Sequence, residues 1–245
     1  MSDQEYDPSS PPPAYVSGVG SFMGYDFLCE PGTMYPREVS AILVTTVVDL
    51  VKSGALTPPG RPLNLIDQCG GSANVGCLLA FMLPEARVWS TDLMPKSSAL
   101  ARRNVAKHAL EDRVQVFTGD LFHALDGQGL EGQVDAITCS PPFISSGRLE
   151  KDRSYLLRHE PREAFDAGPY GISMHQRLAK ESAPMLRVGG YLVLEYGEGQ
   201  SKQVESIVNR TRAYDEVRVL HDAAGVARAV SARKGPPPQQ PSVAG

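Results

Sequence analysis

Seven short runs rich in β-branched and aliphatic residues recur along the chain, at residues 63–67, 87–91, 114–118, 134–139, 190–196, 216–220 and 226–232. Most are separated by stretches with apolar residues at three- and four-residue spacing, among them 74–83, 95–109, 170–185 and 200–212, and a further such stretch at 39–52 precedes the first run. Strand and helix in alternation predict an α/β fold built on a mainly parallel sheet with helices on both faces. In such sheets ligands collect at the carboxyl ends of the strands. The residues that follow each run therefore carry the functional information.

The outer limits come from composition. With 245 residues, 42% hydrophobic and 21% charged, the chain is large enough for a single sizeable core. Residues 1–14 and 234–245 are rich in proline and small or polar residues and read as disordered tails. Residues 15–55 read as a hairpin and helix cap, and residues 56–233 as the main α/β domain. A net charge of −4 offers no electrostatic footprint for a phosphate backbone, so a nucleic-acid partner is disfavoured. Cys29, Cys69, Cys77 and Cys139 form no CxxC pair and have no histidine at ligand spacing, which predicts no metal site and reduced thiols in a cytoplasmic protein. No stretch reaches the length of a membrane span, and the N-terminus lacks the apolar segment of a secretion signal. Nothing in the sequence fixes an oligomeric state.

Four strand ends stand out. The first reads Asp67-Gln68-Cys69-Gly70-Gly71-Ser72-Ala73, an acid followed by a small-residue turn that enters a helix. Such a turn lets a ligand approach the backbone and offers amide donors. It is not the dinucleotide GxGxxG pattern, and no phosphate-binding GxxxxGK[ST] occurs. The second run ends at Asp92, followed by Leu93, roughly 20 residues past the glycine turn, where a carboxylate can accept from both hydroxyls of a ribose. A helix-capping role for Asp92 is equally sensible. The third is followed by Gly119-Asp120-Leu121-Phe122, an acid able to accept from an exocyclic amino group beside an apolar surface. Together the acids outline a nucleoside pocket.

The fourth run delivers Thr138-Cys139-Ser140-Pro141-Pro142-Phe143 to the same edge. Proline cannot donate to a sheet, so Pro141 and Pro142 lie beyond the strand and hold their carbonyls stiffly. Those carbonyls and Ser140 can accept from an amino group, and the ring of Phe143 can stack on a planar acceptor. The segment suits the presentation of a nitrogen.

With these motifs in order, the sequence resembles the class I S-adenosylmethionine-dependent methyltransferases of the amino-group type, whose motif is [N/D/S]-P-P-[Y/F/W]. Within that group it looks like the HemK-like glutamine methyltransferases that act on peptide-chain release factors. The resemblance runs from about Val16 to Arg233 and includes SFMGYDFLCEPGTMYPRE, HEPREAFDAGPYGISMHQR, GYLVLEYGEGQ and HDAAGVARAVSAR. It implies a Rossmann-like seven-stranded sheet, mostly parallel, behind a short N-terminal hairpin. It also implies S-adenosyl-L-methionine as cofactor. Asp67 and the turn Cys69, Gly70 and Gly71 would meet its methionine part, Asp92 and Leu93 its ribose, and Asp120 and Leu121 its adenine. Ser140, Pro141, Pro142 and Phe143 would hold the acceptor nitrogen, with Ser140 also among the cofactor-binding residues.

The sequence departs from the family pattern at Cys69 and Ala73, where D-x-G-x-G-x-G has glycines, and at Ser140, where N-P-P-Y has asparagine. Pro36-Arg37-Glu38-Val39-Ser40-Ala41 stands for P-R-P-E-T-E, and there is no room for the family's N-terminal helical domain. The resemblance thus implies an N-methyltransferase for an amide or amino nitrogen, on a protein glutamine or a small amino-acid-like molecule. The alternatives are a catalytically weak interaction module with this fold, or a nucleic-acid amino methyltransferase. Residues 148–163 mix both charge signs and read as a lid with internal ion pairs.

Overall fold

The central strands are buried on both faces, and their successive side chains point into two separate core layers. A computed structural model of the chain describes residues 10–57 and 60–236; the expected tails at 1–14 and 234–245 fall largely outside them, although Pro13 and Ala14 begin a helical turn. After α1 (Pro13–Ser17), strands β1 (Val19–Phe22) and β2 (Tyr25–Leu28) pair as an antiparallel hairpin. Helix α2 (Ala41–Lys52) follows a short 3-10 turn and buries Leu43, Val44, Val47 and Val48, one stripe of a 3.6-residue period. Each of these side chains contributes about 1.5–3 kcal/mol by leaving water.

The main sheet comprises β3 (Asn64–Gln68), β4 (Arg87–Asp92), β5 (Val114–Thr118), β6 (Val134–Cys139), β7 (Leu186–Glu195), β8 (Tyr214–His221) and β9 (Ala227–Lys234). Their spatial order is β5-β4-β3-β6-β7-β9-β8, parallel except where β9 inserts antiparallel between β7 and β8. The connecting helices are α3 (Asn74–Met82), α4 (Pro95–Lys107), α5 (Ser146–Lys151), α6 (Ser173–Met185) and α7 (Ser201–Arg210). Leu65, Ala136, Tyr191 and Val193 face one core with α2, α3, α4 and the hairpin residues Phe22 and Phe27. Ile66, Ile137, Leu192 and Leu194 face the other, against α6, α7 and the turn at 121–125. This is the Rossmann-like class I methyltransferase arrangement expected from the sequence.

Two features of the topology place the site. Strand β3 lies between β4 and β6, so the chain winds outward from it in both directions and leaves a crevice at its carboxyl end. At the opposite edge Asp135 is fully buried and accepts from Arg61 at 2.7 Å, Arg187 at 2.6 Å and the Asn64 amide at 2.8 Å. That triad ties β3, β6 and β7 together far from the crevice. Among the described residues, no helix is long and apolar enough to cross a membrane.

Candidate active site

The four expected strand ends meet at the crevice. Parallel register sets Gln68 beside both Thr91 and Cys139, and Asp92 beside Thr118, so the turns that follow β3, β4, β5 and β6 leave the same edge.

The turn after β3 has unusual backbone geometry. Cys69, Gly71 and Ala73 all take left-handed conformations, with φ of 55°, 55° and 61°, and Ala73 introduces α3. Cysteine and alanine pay steric strain there that glycine would not. Gly70 has ordinary φ but no room: a Cβ would come 2.2 Å from Ser90 Oγ and 3.0 Å from Asp67 Oδ2. Asp67 is 2% exposed, and Oδ2 accepts from the Gly76 amide at 3.1 Å and Ser90 Oγ at 3.2 Å. Thr138 Oγ1 approaches Oδ1 at 3.4 Å. Burial pushes its pKa up to about 7, although those bonds pull the other way. The carboxylate is turned into the protein, where it braces the turn.

Asp92 has a different outlook. Oδ2 accepts from the Gly71 amide at 3.0 Å and Oδ1 from the Met94 amide at 2.8 Å, so it joins the β3 turn to the start of α4. A carboxylate has about four acceptor positions; two backbone amides and the Ser97 hydroxyl act on this one, which still leaves it room to accept from a ligand hydroxyl. Burial raises its pKa, and the bonds from Met94 and Gly71 oppose that shift. The next residue, Leu93, is 56% exposed. The donor-hungry carboxylate, the crowded Gly70 and the left-handed turn fit a ribose and a short charged chain lying over the backbone.

Asp120 receives a two-pronged ion pair from Arg177 on α6, with both N–O distances 2.9 Å, and Arg177 also reaches Glu181 at 2.9 Å. The pairing is not visible in a local motif, since 57 residues separate Asp120 from Arg177. The pair fixes the direction of the Asp120 carboxylate and leaves acceptor positions free. Leu121 is buried, with φ 48°, among Phe122, Leu125 and the β6 side chains.

Past β6, Ser140 and Phe143 are half-buried and Pro141 is buried. The segment is held by Gln200, whose Nε2 donates to Phe143 O at 2.9 Å and Gly171 O at 3.0 Å. Its Oε1 accepts from the Gly197 amide at 2.8 Å. The ring of Phe143 lies against Gly197, where a Cβ would come 2.8 Å from Cδ2. Glu195, at the end of β7, accepts from Ser40 Oγ at 2.8 Å, and its backbone carbonyl faces His175 Nε2 at 3.1 Å.

Residues 148–163 also dock onto the N-terminal segment. Arg37 donates to buried Glu160 at 2.6 Å and lies over the rings of Tyr35 and Phe165. Arg162 pairs with Glu150 at 3.5 Å and Asp166 at 2.8 Å. Gln200, Glu195, Ser40, Arg177 and Arg37 had no assigned role in the sequence reading. The first two stand in GYLVLEYGEGQ, one of the stretches that carry the family resemblance, and that was the available signal.

No family model matches the chain. It is 33% identical over 214 residues to a release factor glutamine methyltransferase of Moorella thermoacetica, covering 87% of this chain and 72% of that one. The corresponding protein of Geobacter sulfurreducens is 30% identical, over 91% of this chain and 74% of its own. Among solved structures, a methyltransferase from Pyrococcus furiosus superposes with a TM-score of 0.57 at 16% identity, covering 87% and 90% of the two chains. The N-terminal domain of human METTL16 in complex with SAH gives 0.55 at 17% identity, covering 82% and 72%. The structural likenesses establish the fold. The sequence likeness carries the rest: this chain belongs to the family of release factor glutamine methyltransferases, S-adenosylmethionine-dependent N-methyltransferases.

Proposed function

We propose that this chain methylates the side-chain amide nitrogen of a glutamine in a peptide-chain release factor. The observation that carries this reading is the meeting of the β3, β4 and β5 turns with the Ser140–Phe143 segment at one crevice. When bound, S-adenosylmethionine supplies a methyl group activated by its sulfonium centre. Asp92 accepts from the ribose hydroxyls, Asp120 is held by Arg177 to receive the adenine amino group, and Leu93 and Leu121 border these groups. Cys69, Gly70 and Gly71 line the methionine part, with Asp67 acting through the turn it braces.

An amide nitrogen is a weak nucleophile because its lone pair is delocalised. Ser140 and the Pro141 carbonyl accept from its two protons and favour a pyramidal nitrogen, while Pro142 stiffens the segment and Phe143 stacks on the amide plane. The nitrogen held by Ser140 and the Pro141 carbonyl would receive the methyl group that the cofactor supplies and would give up one of its two protons to water. Positioning supplies much of the acceleration.

A silent interaction module is disfavoured by the turn itself, which keeps left-handed backbone at Cys69 and Ala73 despite the strain. The four cysteines are free thiols, which fits a cytoplasmic location. The test is incubation with methyl-labelled cofactor and, separately, intact release factor, free glutamine and nucleic acid, with the label located by mass spectrometry. Label on a glutamine side-chain nitrogen of the release factor is expected. Label only on free glutamine or on a base contradicts the reading.

A further inference from the structure

A serine hydroxyl has one proton and two lone pairs, whereas a primary amide offers the enzyme two N–H donors at nitrogen. Ser140 can hold that nitrogen only if its proton points elsewhere. An asparagine at this position would present a carbonyl oxygen, an acceptor with no proton to dispose of. Serine needs a neighbour that fixes the proton.

The register supplies one. Cys139 pairs with Leu194, so the next residues along, Ser140 and Glu195, leave adjacent parallel strands side by side. Thr138 and Val193 are likewise paired, and Val193 faces the core formed with α2 and α3, which places Glu195 on that same face of the sheet. Glu195 is 2% exposed, a degree of burial that a carboxylate tolerates only when it is hydrogen-bonded. Ser40 donates to its Oε2 at 2.8 Å from the start of α2. Ser140, which follows Cys139 beside this residue on the same face, has the second hydroxyl that favours the ionised form of this carboxylate. Burial raises the Glu195 pKa, while Ser40, Ser140 and the cations Arg37 and Arg228 oppose that shift and favour the ionised form; the buried thiol of Cys139 stands beside it. His175, fully buried on α6, meets the Glu195 carbonyl and holds the strand end in place.

From this geometry we infer that Glu195, seated by Ser40, is a positioning residue that takes the Ser140 proton as a hydrogen bond and so turns a Ser140 lone pair toward the acceptor N–H. An ionised carboxylate can only accept, which removes the opposite orientation. The inference deepens the proposed acceptor site and rests on that reading for the identity of the acceptor. It also accounts for a serine at this position: Ser140, Glu195 and Ser40 together do what one asparagine carbonyl does alone.

Two measurements test it. In protein labelled with carboxyl carbon-13 glutamate, with the Glu195 signal assigned through Glu195→Gln, a donor from Ser140 favours the ionised form. Ser140→Ala is therefore expected to raise the Glu195 titration midpoint; an unchanged or lowered midpoint overturns the inference. The second is a kinetic cycle on a peptide with a single glutamine. Glu195→Gln, whose amide can donate to Ser140 and reverse its hydroxyl, is expected to lower kcat by about tenfold or more beside Ser140, but by less than about threefold beside Ser140→Asn. S-adenosylhomocysteine affinity should stay within about twofold in all variants. Equal losses beside serine and asparagine would make Glu195 merely structural and overturn the inference. A wild-type chain inactive on the peptide counts against the proposed acceptor, and the carboxyl titration then decides the positioning on its own.

Discussion

At the scale of single residues, the glycine turn separates two kinds of constraint. Gly70 has no space for a Cβ, whereas Gly71 has open space but a φ of 55°. Gly71→Ala should cost about 1–2 kcal/mol of stability through backbone strain alone. Gly70→Ala should cost more, because its Cβ meets Ser90 Oγ, and the pair Gly70→Ala with Ser90→Ala should recover part of the loss. Chemical denaturation of the three variants checks the order. The sequence named both glycines, but not which constraint each obeys. Asp67 illustrates the same limit: an acid at a strand end was legible, while its inward orientation depends on Gly76, Ser90 and Thr138, contributed by three different elements.

At the scale of elements, the helices were legible because burial on one face imposes a period, and the central strands because burial on both faces leaves short continuous apolar runs. The runs at 114–118 and 134–139 coincide with β5 and β6, and the helix at 74–83 ends one residue short of expectation. Strand β7 begins at Leu186, four residues before expectation, because Arg187, Val188 and Gly189 belong to an edge that is only partly covered and so carry no apolar alternation. Helix α6 begins at Ser173 instead of 170, since Gly171 takes a left-handed φ of 71° that a right-handed helix cannot contain. Contacts of long sequence separation, such as Gln200 to Phe143, leave no periodic trace. Gln200→Ala should release two carbonyls and lower kcat while cofactor affinity holds, as steady-state kinetics and calorimetry can show. On α6, burial lowers the pKa of His175 to about 4, so the imidazole stays neutral when folded. Unfolded chain takes up its proton below its ordinary value of 6.5, and stability falls as pH drops from there toward 4. Denaturation midpoints across that range should fall less steeply in His175→Gln than in the wild type, by up to about 3 kcal/mol at the acid end.

At the scale of the whole molecule, the two edges of the sheet have different duties. Asp135 with Arg61 and Arg187 secures the edge away from the crevice, and Asp135→Ala strands two cations there. It should cost about 3–5 kcal/mol of stability while leaving cofactor affinity of the folded protein unchanged. At the crevice edge the order is reversed, with the proposed cofactor and acceptor contacts concentrated where Asp92, Asp120 and Ser140 emerge. The central claim is that one crevice holds the cofactor on the β3 to β5 turns and the acceptor on the turn after β6. Calorimetric titration of S-adenosylmethionine into wild type, Asp92→Ala and Ser140→Ala tests it most directly. Asp92→Ala should lose about 2 kcal/mol of binding, roughly thirtyfold in affinity. Ser140→Ala should bind as the wild type does while its turnover collapses. Unchanged affinity in Asp92→Ala, or Ser140→Ala weakened as much as Asp92→Ala, would contradict the division of the site.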